Sequence, residues 1–188
     1  MAEETFTIVA PTVGDQSDGT PAEIYTLGRE FESSISLPCI GVDWWTPTAL
    51  PTIQNQGSLW QKADKGNVAL SPLVTLIPAD LGHVYRFTFI TPFTLTAGVR
   101  YVAGVLTNRY VYTPVTGPPL FPQPSGPNGY MLAPAGVNSR FDDTGGVAGT
   151  SIYPDNIHPS GVDYHIAPVL LLPGDGHAKW AEFLSFFS

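Results

Sequence analysis

Four histidines, His83, His158, His165 and His177, and one cysteine, Cys39, are the side chains of this sequence best suited to act as bases, nucleophiles or metal ligands. Their spacing limits what they can do. No His-x-His or His-Glu-x-x-His pair occurs, and one thiol cannot supply the cysteine cluster of a zinc site. A nucleophilic serine would be announced, in one common form, by Gly-x-Ser-x-Gly, and that motif is absent. Each histidine is therefore expected as an ordinary loop or surface residue, and Cys39 as a small buried hydrophobe. Carboxylates stand in close pairs, Glu30 with Glu32 and Asp142 with Asp143. Two carboxylates brought face to face can cleave a glycoside, but at these spacings they read as exposed strand and turn charges. The acidic loop 15–19 matches a calcium loop only in part, because the regular alternation of oxygen ligands is missing. Glycines 145–149 open no helix and precede no lysine, so they are not a phosphate loop. No catalytic, metal or cofactor set is expected.

Aromatic side chains are the larger resource. Trp45, Tyr110, Tyr112 and Tyr130 are the candidates for stacking against sugar rings, whereas Trp44 and Trp60 read as core. Near the C-terminus, Trp180, Phe183, Leu184 and Phe187 recur at helical spacing on one stripe. That stripe either folds back on the domain or docks on another subunit.

The elements that must hold these residues are strands. With 13% charged residues, 19 Gly and 19 Pro, the chain is rich in turns and poor in exposed helix. Its 43% hydrophobic and 12% aromatic content is enough for a packed core. Alternation marks strands at 24–31, 39–45, 57–62 and 84–90, where Tyr85, Phe87 and Phe89 share one face; Thr91-Pro92 should interrupt the last of these. Asp64-Lys65-Gly66-Asn67 reads as a hairpin turn before a strand that Pro72 breaks, and 99–107 reads as a strand buried on both faces. The expected fold is an all-β antiparallel sandwich, jelly-roll-like, over 24–172. It carries an N-terminal arm at 1–23, a long Pro/Gly-rich loop at 114–149, and a short apolar helix or tail at 173–188.

A net charge of -8 repels phosphate backbones and argues against nucleic acid as a partner. No apolar run approaches the roughly 20 residues of a membrane-spanning helix. The acidic start, with Glu3 and Glu4, shows no signal peptide, and the lone cysteine fits a reducing cytosol or a system without disulfide bridges.

Several blocks carry a family likeness: Leu27-Gly28 with Phe31, Gly41-Val42 with Trp44-Trp45 and Pro47, Leu59-Trp60, the run from Phe93 to Ala103, and Tyr164. In these the chain resembles a β-sandwich domain family of unassigned function, found in actinobacterial surface proteins and in minor tail proteins of their phages. The family closes on Tyr-Trp and an acidic residue, where this chain has Tyr164-His165-Ile166. The resemblance implies a non-enzymatic virion structural protein of a tailed actinobacteriophage, a minor tail or capsid-decorating component made in the host cytoplasm. Its partners would be other virion proteins, copies of itself and host cell-wall glycan. The alternative is a carbohydrate-binding module of a bacterial surface protein.

Overall fold

The computed structural model describes residues 2–16, 23–114, 124–125, 128–132, 139–142, 149–157 and 162–172. The tail residues Trp180, Phe183, Leu184 and Phe187, like His158 and His177, lie outside them. The strands are β1 (Glu3–Thr5), β2 (Val13–Gln16), β3 (Tyr25–Ser33), β4 (Pro38–Trp45), β5 (Gln56–Gln61), β6 (Asn67–Leu70), β7 (Val84–Thr94) and β8 (Arg100–Thr107), followed by β9 (Tyr110–Pro114), β10 (Pro124–Ser125), β11 (Met131–Leu132), β12 (Ser139–Asp142), β13 (Asn156–Ile157), β14 (Val162–Asp163) and β15 (Ile166–Leu171). A single 3₁₀ turn at Pro78–Asp80 is the only helical element among the described residues.

Two antiparallel sheets pack face to face as an all-β sandwich. The first has the order β1-β15-β4-β7, and the second runs β10-β11-β3-β8-β5-β6 with β12 also paired to β3. Along the chain β3, β4, β5, β7 and β8 fall alternately in the two sheets, with β6 staying beside β5, a crossing pattern like that of jelly rolls. A third small sheet, β14-β9-β2, is separate from both.

Period-2 patterning explains the core. Tyr85, Phe87 and Phe89 face inward from β7 while Val84, Arg86, Thr88 and Ile90 stay exposed, as the alternation requires. On β4 the neighbouring tryptophans part: Trp44 is fully buried against Phe87, and Trp45 turns outward to a half-buried position. The sheets come close where β5 meets β7, because a Cβ on Gly57 would sit 2.5 Å from that of Phe87. β8 is buried from Tyr101 to Thr107 because it is central in its sheet and covered on both faces.

Two expectations change, and the place of the N-terminal arm is filled in. β7 is not ended at Thr91-Pro92 but runs to Thr94. Its register against β4 jumps from Gly41↔Thr88 to Cys39↔Phe93, so Pro92 falls in the looped-out stretch and owes the ladder no hydrogen-bond donor. The stretch 114–149 is not loop throughout. Met131–Leu132 pairs with Ser33–Glu32, and Ser139–Asp142 pairs with Thr26–Arg29, which extends the second sheet past β3. The N-terminal segment docks on its own chain: Glu3–Thr5 pairs with Val169–Leu171, and Phe6 is buried in the core.

Cys39 is fully buried, and burial pushes its thiol up to about 12. Since the thiolate is the nucleophile, iodoacetamide should label Cys39 only through unfolding. Labelling of the folded protein at the rate of a free thiol would contradict this placement.

Candidate functional site

Two groups of buried ionisable side chains stand out, one on the outer face of the second sheet and one at an end of the sandwich. On β3, Gly28, Glu30 and Glu32 alternate away from the core, yet Glu30 is fully buried rather than exposed. Its Oε1 accepts from Lys62 Nζ at 2.6 Å and Arg100 Nη1 at 3.3 Å, and its Oε2 from Arg140 Nε at 3.0 Å and Nη2 at 2.9 Å. The cations arrive from the end of β5, from β8 and from β12, three places far apart in the sequence. The segment 149–157 covers Arg140. Tyr153 meets Trp60 edge-on at 6.2 Å and lies 5.8 Å from the Arg140 guanidinium, while Arg140 Nη1 donates to the Asp155 carbonyl. A Cβ on Gly28 would stand 2.7 Å from Pro154, so this glycine is what lets the cover close. Glu30 and Glu32 therefore sit in different settings: one carboxylate is shared among three cations, and Glu32, partly exposed, lies 3.8 Å from Arg100. Asp142 is also buried, and Asp143 lies outside the described residues.

At the end of the sandwich, the turn between β14 and β15 puts His165 in the left-handed region, φ 55°, which is uncommon for any residue but glycine, though asparagine, aspartate and histidine enter it more readily than the rest. The side chain is 1% exposed, contrary to the surface position expected for it. Its amide donates to Asp163 Oδ1 at 2.8 Å, its carbonyl accepts from the Trp45 amide at 3.1 Å, and its Nε2 lies 2.9 Å from Thr113 Oγ1. Among the described residues the ring Nδ1 has no hydrogen-bond partner. Burial holds the imidazole below its ordinary value of 6.5, Asp163 opposes that, and Arg29 adds to it. Arg29 is itself buried between the sheets, 4.2 Å from the Phe6 ring centroid, with Nη1 donating to the Ile166 carbonyl at 3.4 Å. Burial lowers its affinity for its proton while Asp163 raises it.

The four stacking candidates do not form one platform. Tyr110 and Tyr112 adjoin at 6.2 Å, but Tyr110 is also held edge-on by Tyr25 at 5.4 Å and Tyr164 at 5.7 Å, so its ring is part of the packing. Trp45 reaches the same end of the sandwich through its bond to His165. Tyr130 lies at the other end of β3, where its carbonyl accepts from the Ser34 amide at 2.8 Å and its amide donates to the buried Glu4 Oε1 at 2.8 Å. With Tyr110 packed on Tyr25, eight residues from Ser33, the separation along β3 is about 26 Å.

Of the calcium-like loop, Asp15 directs its two carboxylate oxygens at the amide and hydroxyl of Thr48; Asp18 and Gly19 lie outside the described residues. Among the described residues no group of three or more His, Cys, Asp or Glu side chains could hold a metal ion. Sequence reasoning missed Glu30 and His165 as buried centres. A two-residue spacing put Glu30 and Glu32 on one strand face, but nothing in it shows which cations fold over that face. No protein-family model matches the chain, and no curated protein sequence matches it.

Proposed function

We propose that this is a non-enzymatic structural protein of a tailed actinobacteriophage virion, a minor tail or capsid-decorating subunit. It works through contacts with other virion proteins and with copies of itself, and Trp45 and Tyr112 are left to meet host glycan. One observation carries the reading: among the described residues, buried ionisable groups that a reactive site could draw on serve to join strands. Glu30 ties β3 to β5, β8 and β12. Glu4 ties β1 to the start of β11, Asp43 holds Arg86 of β7 through two hydrogen bonds at 2.7 and 2.9 Å, and His165 ties the end of β4 to β9. Such charge-assisted and bidentate bonds make a rigid body that presents its surfaces in fixed geometry, which is what a repeated assembly requires. The likeness in residues 93–103 supports the same reading. That block supplies the end of β7, the Ala97-Gly98 turn with Gly98 at φ 72°, and the start of β8, a scaffold role for each.

Quantitative mass spectrometry of purified particles of the phage that encodes this chain tests the proposal. The expected result is the chain in particles at a fixed ratio to the major tail or capsid protein. Its presence in the lysate but not in the particles would overturn the proposal.

A further inference from the structure

We propose that His165 is an acid-sensitive latch: with a neutral ring it pins the small sheet β14-β9-β2 to the end of the first sheet, and protonation of the ring releases that sheet. The geometry makes this residue the junction. It lies two residues past the end of β14, its carbonyl holds the last amide of β4, and its Nε2 meets the Thr113 hydroxyl of β9. That hydroxyl also accepts from the Thr12 amide at 3.1 Å, at the entrance to β2. Two hydrogen bonds through one serial chain, Thr12 to Thr113 to His165, thus connect the small sheet to the turn that joins it to β15.

The neutral ring fits this place and the charged ring does not. A neutral imidazole carries one N–H and one acceptor, so a single partner at Nε2 leaves only one ring nitrogen unmatched. An imidazolium carries two donors, and its Nδ1–H would be buried with no acceptor among the described residues, at a cost set by desolvation. The charged groups facing the ring are Asp163 from its own turn and Arg29 from β3. β9 offers the neutral Thr113 hydroxyl and β4 the Trp45 backbone amide. Asp163 is already committed to the His165 amide, and the fixed positive charge of Arg29 opposes a second one. The positive φ adds a local strain that opening of the turn relieves.

The sign follows from linkage. A histidine that binds its proton less readily folded than unfolded favours the closed state above its ordinary value of 6.5, and that advantage is lost as the pH falls below it. The test is native-state hydrogen exchange, with rates divided by intrinsic rates, between about pH 7.5 and 5.5, where ordinary carboxylates stay charged. Protection of the Thr12 and Trp45 amides and of β9 should fall by up to about tenfold for one linked proton. The amides between β3 and β8 should hold. In His165→Asn, a residue at ease at positive φ and without a titrating ring, the fall should vanish. Unchanged protection of β9 in the native protein, or an equal fall in His165→Asn, would overturn the latch. Should that variant fail to fold, the ring proton shifts of native His165 decide: a midpoint below 6.5 supports the latch, and one at or above 6.5 overturns it.

Discussion

Replacing Glu30 by methionine should cost about 3–5 kcal/mol of stability, the scale for breaking a buried ion pair from one side. The loss comes less from the missing attraction than from what is left behind. The Arg140 side chain is 7% exposed and its Nε and Nη2 both donate to Glu30, so without that carboxylate a guanidinium stays buried with its charge uncompensated. Lys62 and Arg100, at 30% and 47% exposed, can turn to water and add little. The double variant Glu30→Met with Arg140→Met should therefore recover a large part of the loss, because replacing both members of a buried pair with apolar groups is often neutral. Urea unfolding midpoints at constant slope measure both. A single variant that loses under about 1 kcal/mol, or a double variant less stable than the single one, would refute the assignment of Glu30 as the anchor of this face.

Phe87→Ala should be comparably severe, about 3–5 kcal/mol, for a different reason. Phe87 is 1% exposed and its ring packs on Trp44 at 6.3 Å and on Tyr85 at 5.0 Å, while its Cβ faces Gly57 across the gap between the sheets. Removing the ring leaves a cavity lined by a large rigid side chain and by a glycine that has nothing to fill it with. Thermal or urea denaturation reads the loss, and a cost near that of an exposed site, within about 0.5 kcal/mol, would show that β7 does not cover the core. The matching substitution on the other face of the same strand, Thr88→Ala, should fall in that small range, since Thr88 is exposed.

Much of this was legible in the order of residue types. The alternation in 84–90 put Tyr85, Phe87 and Phe89 on one face of β7, which proves to be the core face, the Trp44-Trp45 step placed one ring on each face of the first sheet, and the turn at Asp64-Lys65-Gly66-Asn67 separates β5 from β6. In that turn Lys65, not Gly66, takes the positive φ of 57°, and the Gly66 amide donates to Asp64 Oδ1. Less legible was the stretch 114–149. Met131–Leu132 and Ser139–Asp142 are too short to alternate visibly, and they become strands only because the edge of β3 offers unpaired backbone groups.

What the sequence determined by itself was everything that depends on neighbours along the chain: side chains two apart on a strand share a face, proline ends or bends a ladder, and low charge with many apolar residues fills a sandwich. What only the tertiary structure decided was the state of single polar residues. Glu30 and His165 have the same local surroundings as exposed strand and turn residues. Their burial depends on Arg140, on the cover at 149–157 and on Thr113, partners set 110 and 52 positions away for the first bond of each pair. Pairing across such distances follows from strand order and register, which the pattern of any one strand does not contain.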